Sequence, residues 1–389
     1  MKRQRFLLLG LVFGLGLTTF RLVPTNKEQT GKERESLPVL FAFRDDSAGG
    51  KYGFINRQGA IVVEPKYLYA LDSSNGLAEV EWDNKIGFLD GHGALKFTLP
   101  PDASRAGRFS EGLVWFQRKN SSRWGLCNGQ GVVVLEPKYD AVEAFSEGLA
   151  AVMTGAQWWH PRVAGGKWGY VDRKGKIVIP ARYEYAYDFS GGLARVSDSE
   201  DEKFIDRSGN VVITVKDGSA GDFREGLASI LIGDRTKDGK DWLTRFIDPL
   251  GRTVFTVAGH AEEFHEGLAV FSVKTNGESK DRRFGYVDKM GTVAIPPTFA
   301  EAFDFSEGLA AVQTKKTSVR GKDDTWGYID KNGRLRIDPH FNDLGSFRGG
   351  VAKAHVGGRF AIVTDAPPYW EGGEWWLIDT KGKRLKRIQ

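Results

Sequence analysis

The sequence predicts an all-β protein built from tandem antiparallel meanders of three to four strands. The octapeptide FSEGLAAV occurs at Phe145–Val152 and again, unchanged, at Phe305–Val312. No segment of a dozen residues shows the apolar spacing of three and four residues that is typical of an amphipathic helix. A structural unit is needed many times in one chain, whereas a catalytic motif is normally needed once. We therefore interpret the octapeptide as part of a repeating unit.

The first repeated element is a phenylalanine followed by a polar turn and an apolar strand. Copies of the pattern FSEGL begin at 109, 145, 189, 223, 264, 305 and 347, and a weaker copy, SSNGL, begins at 73. Successive copies are 34 to 44 residues apart, which is the spacing of a repeat architecture. Repeat proteins grow by addition, so the length of 389 residues does not require several domains.

The second repeated element has the form KWGYVDRKG. Copies begin at 51, 85, 123, 167, 203, 245, 283, 325 and 375, and each keeps Asp or Asn followed three residues later by Gly. Such an Asp or Asn can accept a hydrogen bond from the backbone two residues on, and Gly adopts positive φ without strain. This spacing predicts nine hairpin loops. A calcium loop is the alternative, but it requires several clustered carboxylates and each copy offers one.

The strands between these turns are apolar on both faces. In KWGYVD, Trp168 and Tyr170 face one way and Val171 faces the other, which predicts that successive sheets stack face to face. The glycine after tryptophan leaves room for a neighbouring backbone. The copies at 203 and 245 lack Trp-Gly, so we expect distorted units there. The residues to which we assign structural repeat roles are Trp124, Gly125, Trp168, Gly169, Trp326, Gly327, Gly112, Gly148 and Gly308.

These motifs resemble those of the WG-repeat (Trp-Gly or KWG repeat) proteins. The similar segments are KWGYVDRKGKIVIP followed by YDFSGGLARV, and TWGYIDKNGRLRIDP followed by FRGGVAKA. The resemblance covers about Val39 to the C-terminus, and three motifs recur in fixed order. It implies a bacterial binding or interaction module without a shared catalytic residue.

Tandem small sheets either close into a propeller or continue as an open superhelix. We predict a propeller-like array, with an open β superhelix or solenoid as the alternative. The segments VLFAFR at 39–44 and WWLIDTKG to RLKRI at 375–388 resemble complementary parts of one unit, so we expect the two chain ends to share a blade. The count of nine units opposes closure, since propellers typically have four to eight blades.

The N-terminus has the layout of an export signal. Three basic residues precede an apolar run from Phe6 to Phe20, and a polar stretch follows. We predict a signal peptide or signal anchor at 1–22, a polar linker at 23–38 and the repeat array at 39–389. The protein is then exported and is periplasmic, on the cell surface, or membrane-anchored facing outside the cytoplasm.

Composition narrows the function classes. The net charge is +5, and the basic C-terminal run KGKRLKRIQ is better explained as a solvated chain end than as a nucleic-acid contact. Cys127 is the only cysteine, which excludes an intrachain disulfide and a thiolate metal cluster. His260 and His265 are five residues apart in a loop and do not match a zinc motif.

No catalytic signature stands out. The sequence has no Gly-x-Ser-x-Gly elbow, Walker loop or dinucleotide fingerprint. One repeat position carries Glu111, Glu147, Glu225, Glu266 and Glu307. A residue required five times indicates a structural role. We therefore predict no catalytic residue, no cofactor and no metal, and expect that the protein is not an enzyme.

The repeats differ most between the GLAAV strand and the Trp-Gly strand. Long excursions occur at 153–166, 231–242, 272–283, 313–324 and 358–374, and we expect them to project from one edge of the array. Aromatic side chains favour interfaces, so the predicted ligand-binding residues are Trp158, Trp159, His160, Tyr369 and Trp370. Caps over the neighbouring sheet are the alternative. The sequence favours a non-catalytic envelope module that binds protein, peptide or glycan. The rivals are an extracytoplasmic hydrolase or lyase on the same scaffold and a purely structural envelope protein.

Overall fold

A computed structural model describes residues 38–159, 162–198, 201–233, 242–274, 282–315, 325–363 and 366–388. Over these residues the chain forms nine small antiparallel sheets and no helix, arranged as a nine-bladed β-propeller. No helix within the described residues is long and apolar enough to cross a membrane. The predicted signal segment 1–22 and all of the linker except its last residue lie outside these residues.

Each blade is a meander of consecutive strands, numbered here in chain order. Blade 1 has the strands Phe41–Asp45, Lys51–Ile55 and Ile61–Tyr67. Blade 2 has Tyr69–Ala70, Leu77–Trp82, Lys85–Asp90 and Leu95–Thr98. Blade 3 has Ala103–Ala106, Leu113–Arg118, Trp124–Asn128 and Val133–Tyr139. Blade 4 has Ala141–Val142, Leu149–Thr154, Lys167–Asp172 and Ile177–Tyr183. Blade 5 has Tyr185–Ala186, Ala194–Ser197, Glu202–Ile205 and Val211–Val215.

The remaining blades repeat this order. Blade 6 has Ser219–Ala220, Ala228–Ile232, Leu243–Ile247 and Thr253–Ala258. Blade 7 has His260–His265, Leu268–Lys274, Arg282–Asp288 and Val293–Phe299. Blade 8 has Glu301–Ala302, Leu309–Lys315, Thr325–Asp330 and Leu335–Phe341. Blade 9 has Asp343–Leu344, Val351–Val356, Glu374–Asp379 and Arg384–Arg387. Two-stranded ribbons extend blade 4 (Gln157–Trp159 with Arg162–Ala164) and blade 9 (Arg359–Val363 with Ala366–Glu371).

The core lies between the blades, as the two-faced strands predict. Tyr170 packs toward blade 5, in a cluster with Phe189 and Val196. Its neighbour Val171 packs toward blade 3, in a cluster with Trp115. The described residues form nine such clusters, and each joins one consecutive pair of blades. Burial of apolar surface at these nine interfaces stabilises the ring.

The ninth cluster joins blade 9 to blade 1 and closes the propeller. It contains Phe41 and Phe43 from the first blade with Val351, Leu377 and Ile388 from the last. Our expectation that the chain ends share one blade is wrong. Each end forms its own sheet, because blade 9 already has four strands and blade 1 has three. Face-to-face packing, rather than a shared sheet, therefore holds the ring shut.

The glycine of Trp-Gly sits beside a bulge in the fourth strand. In blade 4, Trp168 pairs with Tyr183 and Tyr170 pairs with Ile179, so the register shifts opposite Gly169. A Cβ at Gly169 would lie 2.4 Å from the carbonyl oxygen of Ile179. Close backbone approach is thus confirmed as the reason for this glycine.

The two units without Trp-Gly are not distorted, contrary to expectation. Opposite Lys203, which takes the place of Gly169, blade 5 keeps a continuous register at Glu202–Val215, Lys203–Thr214 and Phe204–Ile213. Blade 6 is likewise regular from Leu243 to Phe246. Without a bulge the opposing backbone stays farther away, so no glycine is required.

Candidate functional site

The side chains of the repeated Asp and Asn residues form hydrogen bonds within their own hairpin loops. Asp172 Oδ1 accepts hydrogen bonds from the backbone N–H groups of Lys174 and Lys176, both at 2.9 Å, and Gly175 has φ of 75°. The same two bonds recur at the other eight loops, which confirms the hairpin prediction. These carboxylates therefore orient the loops.

The five repeated glutamates connect consecutive blades. Each carboxylate accepts a hydrogen bond from the backbone of the next blade's turn; the acceptors are Glu111, Glu147, Glu225, Glu266 and Glu307. A cation from the next blade pairs with three of them: Lys289 Nζ lies 2.9 Å from Glu225 Oε2, Lys331 Nζ 3.1 Å from Glu266 Oε2, and Arg173 Nε 3.8 Å from Glu111 Oε2. This supports the structural role predicted for the position.

All long excursions join the second strand of a blade to the third, as predicted. We call this side of the propeller the looped face. Trp158 and Trp159 lie on the ribbon of blade 4, where Trp158 pairs with Val163. Tyr369 and Trp370 lie on the ribbon of blade 9, paired with Ala361 and Phe360. His160 lies outside the described residues.

The two ribbons that carry the predicted aromatic residues belong to blades that are far apart in the ring. Blades 4 and 9 are separated by four blades in one direction and three in the other. The two ribbons stand on opposite sides of the ring, so a ligand that contacts both would have to span the looped face.

The first strands face the axis of the propeller. Lys353 Nζ in blade 9 lies 2.8 Å from Asp72 Oδ2 in blade 2, although blade 1 stands between them. Arg224 in blade 6 pairs with Glu263 in blade 7, at 3.3 Å from Nε to Oε2. Burial raises the pKa of Asp188 in blade 5, and the charges of Arg108 and Arg224, from blades 3 and 6, oppose that rise. Side chains from blades that are not neighbours meet only where the blades converge.

Carboxylates and histidines meet in a cleft of about 370 Å³ near this axis, between blades 6, 7 and 8. His265 Nε2 lies 3.4 Å from Asp304 Oδ2. Glu263 Oε1 accepts a 2.9 Å hydrogen bond from the backbone of Asp222. His260, Glu262 and Ser229 complete the polar lining. We call this group of residues the axial cleft.

Burial raises the pKa of two carboxyl groups of the axial cleft, those of Glu262 and Asp304. Desolvation raises the pKa of Glu262, and the charges of Asp304 and Glu263 raise it further. Desolvation also raises the pKa of Asp304, and Arg224 and His265 oppose that shift. Burial lowers the pKa of His260, with a smaller effect from Arg282. A cleft of this kind can donate and accept hydrogen bonds and can exchange protons with a polar ligand.

In the sequence, His260 and His265 were compared only with a zinc motif, and the axial cleft that they line was not predicted. The two histidines line the same cleft, yet no group of three potential metal-ligating residues occurs in the described part of the chain. The available signal was the residue preceding the repeated phenylalanine, which is acidic at 72, 188, 222, 263 and 304. Because these residues occupy the same position in each repeat, their carboxylates are expected to lie at the same level along the propeller axis.

The profile of the WG containing repeat matches six segments of the chain. They are residues 52–85, 124–158, 168–199, 204–235, 284–316 and 326–360, which together make up just over half of its length. The chain therefore belongs to the family of proteins with WG containing repeats. No curated protein is significantly similar to it in sequence.

A solved structure of low sequence identity shares the fold. The structure of the eukaryotic initiation factor is 11% identical, with a TM-score of 0.56, and the match covers 90% of this chain and 97% of that one. The tricorn protease is 11% identical, with a TM-score of 0.38 and coverage of 90% and 42%. The acylaminoacyl peptidase of Pyrococcus horikoshii is 12% identical, with a TM-score of 0.40 and coverage of 82% and 52%. This chain spans about half the length of either peptidase or less.

Proposed function

We propose that this WG-repeat propeller is an exported, non-catalytic binding module of the cell envelope, whose ligand is a protein, peptide or glycan held at the looped face. The observation that carries the proposal is the shared placement of the long excursions between second and third strands. Variable loops on a rigid scaffold are where binding residues concentrate.

The repeated positions maintain the fold, which leaves the variable excursions available for binding. The repeated Asp and Glu side chains are used in hairpin turns and in contacts between blades, as with Asp172 and Glu147. The excursions do not carry the repeated motifs, and two of them contain Trp158–Trp159 and Tyr369–Trp370. Aromatic side chains give large contact area at low entropic cost.

The experiment is a cross-linked pull-down from the envelope fraction with the tagged full-length protein. The variant Trp158→Ala/Trp159→Ala is compared with Met290→Ala, which removes an exposed apolar side chain from the hairpin between the third and fourth strands of blade 7, on the opposite face from the excursions. We expect a protein or glycan that is captured by the wild type and by Met290→Ala and is lost from the double variant. Equal capture by all three would reject the looped face, and no capture would reject the binding module.

Export is tested separately, because binding and location are different claims. Residues 1–38 are fused to a phosphatase that is active only outside the cytoplasm, and a matched fusion carries Lys2, Arg3 and Arg5 changed to Glu. Activity of the first fusion alone supports export through the basic and apolar N-terminal segment. Inactive fusions would overturn the envelope location.

A hydrolase or lyase is the second candidate, and the axial cleft favours it. Glu262 and Asp304 line the cleft and have raised pKa values, and Asp304 Oδ2 lies 3.4 Å from His265 Nε2, as is common for general acids and bases. The test is turnover of a panel of fluorogenic glycosides and envelope polysaccharides by the wild type, Glu262→Gln and Asp304→Asn. Activity that both substitutions abolish would favour the enzyme over the module, and activity unaffected by either would place the chemistry elsewhere.

A further inference from the structure

The fourth strand of each blade is a sheet edge on the outer perimeter. It pairs with the third strand on one side and, among the described residues, with no strand on the other. An edge of this kind exposes a row of unpaired N–H and C=O groups that can template the addition of another strand. Natural proteins commonly protect such edges with proline, bulges or lysine.

Seven of the nine edges carry that protection. Five contain proline, and in all five a bulge lies opposite the glycine of the preceding strand; the prolines are Pro65, Pro137, Pro180, Pro296 with Pro297, and Pro339. The edges of blades 2 and 9 are four residues long and basic, with the sequences LKFT and RLKR.

Blades 5 and 6 are the exceptions, and they are neighbours. Their edge strands read VVITV at Val211–Val215 and TVFTVA at Thr253–Ala258, without proline or charge. These two units, like that of blade 9, lack the glycine in the third strand and keep a regular register at that position. Val212 and Val254 are 43% and 49% exposed. Without the glycine and its bulge, the edges of blades 5 and 6 are left unprotected, whereas the edge of blade 9 is short and basic.

The geometry of an open edge specifies its occupant. Only an extended polypeptide satisfies a row of alternating backbone donors and acceptors, and β-branched residues pack best on a pleated surface. Edges of five and six residues are too short to supply the area of roughly 1,000 Å² that a stable dimer needs. A short peptide segment fits these dimensions better than a second copy of the chain.

We propose that the fourth strands of blades 5 and 6 bind an extended, uncharged, β-branched segment of a partner polypeptide by β-strand addition. Backbone hydrogen bonds supply the affinity, and the exposed valines favour residues of matching shape. This site lies on the outer perimeter, away from the looped face. It therefore does not rest on the proposed function, and either proposal can fail without the other.

The probe is a fluorescein-labelled peptide with the sequence of residues 210–216, NVVITVK, and binding is measured by anisotropy with the purified full-length protein. A second peptide has the same side chains with alternate amides N-methylated, which removes the donors that strand addition requires. We expect the first peptide to bind and the methylated peptide to bind at least about tenfold more weakly, a difference of about 1.4 kcal/mol. Equal binding of the two, or no binding at about 1 mM, overturns the proposal.

Variants of the edge locate the site. Val212→Lys and Val254→Lys place a charge on the open edges, and Val178→Lys does so at the same repeat position of blade 4, where Val178 is 40% exposed and Pro180 already interrupts the edge. Combined Val212→Lys/Val254→Lys should weaken binding about tenfold while Val178→Lys leaves it unchanged. All three side chains are surface-exposed, so unfolding does not explain a loss, and thermal melts verify this. Equal weakening by Val178→Lys overturns the site.

Discussion

The side chain of Glu147 in blade 4 is bonded to the backbone of Gly192 in blade 5, with Oε2 2.9 Å from the amide nitrogen. Glu147 has φ of 52°, in the left-handed region that favours glycine. At the same turn position blades 5 and 9 carry Gly191 and Gly349, with φ of 64° and 59°. The glutamate therefore accepts backbone strain in exchange for a hydrogen bond to the next blade.

Two substitutions of Glu147 distinguish the effect of its backbone strain from the effect of its hydrogen bonds to blade 5. Glu147→Ala loses the carboxylate bonds and keeps the strain, whereas Glu147→Gly loses the bonds and relieves it. We expect Glu147→Ala to lower the free energy of unfolding by about 1–2 kcal/mol, a range reduced for the exposure of this side chain. Glu147→Gly should recover about 1 kcal/mol of that loss. Denaturant melts of the three proteins measure both terms.

The matched control is Gly191→Ala, which removes no carboxylate and keeps the backbone N–H that donates to Glu147 Oε1 at 2.8 Å. It should destabilise the protein through backbone strain alone, by about 1 kcal/mol. If Glu147→Gly were less stable than Glu147→Ala, the strain argument would be wrong.

Gly169→Ala tests the bulge beside Trp-Gly. The added Cβ would lie 2.4 Å from Ile179 O and 2.6 Å from Ala181 N, and neither backbone atom can move without breaking the sheet. We expect a loss of about 3 kcal/mol or more in the free energy of unfolding. Lys203→Ala, at the same repeat position in the regular blade 5, should cost less than about 1 kcal/mol. Comparable losses for the two would show that the bulge does not require glycine.

The sequence was sufficient to predict the repeat, the strands, the nine hairpins and the stacked sheets, because all of these depend on local spacing. The nine-bladed ring follows from a further property that local spacing does not encode. Closure depends on whether the last blade reaches the first, and Phe43 and Leu377 show their contact only in three dimensions. The regular register of blades 5 and 6 was mispredicted, because the missing glycine was considered without the missing proline.

The candidate site was less predictable. Excursions at one face follow from the order of motifs, and the structure confirms that placement. The axial cleft depends on three blades that bring Glu262, His265 and Asp304 together. Each residue alone has an ordinary sequence context, so only alignment of the repeats around the axis could have suggested the cluster.

Phe43→Ala tests the closure of the ring. Phe43 is 3% exposed and lies in the cluster that joins blades 1 and 9. We expect a loss of about 3–5 kcal/mol, with faster amide hydrogen exchange in both blades. The blades at this seam are held by no connecting strand, so they should separate locally before the rest unfolds.

The control for the seam is Phe204→Ala, at the interface of blades 5 and 6. It removes a comparable buried ring, which is 1% exposed, between blades that the chain itself connects. Its loss of stability should be similar, but without selective exchange in blades 1 and 9. The same exchange pattern in both variants would contradict a distinct seam.

Glu79 makes stability depend on pH. Burial raises the pKa of its carboxyl from 4.5 to about 7, and the charge of Glu81 adds to the shift. The folded protein therefore holds a proton that the unfolded chain releases, so its stability is fully present below about pH 4.5 and falls as pH rises to about 7. Glu79→Gln removes this titration. At pH 8 the variant should be more stable than the wild type by up to about 3 kcal/mol, and near pH 4 the difference should vanish.

Urea melts from pH 4 to pH 8 measure the free energy of unfolding of both proteins. The control is Glu64→Gln, at an exposed site on blade 1. A difference between Glu79→Gln and the wild type that stayed constant with pH would show that Glu79 does not titrate as its burial requires.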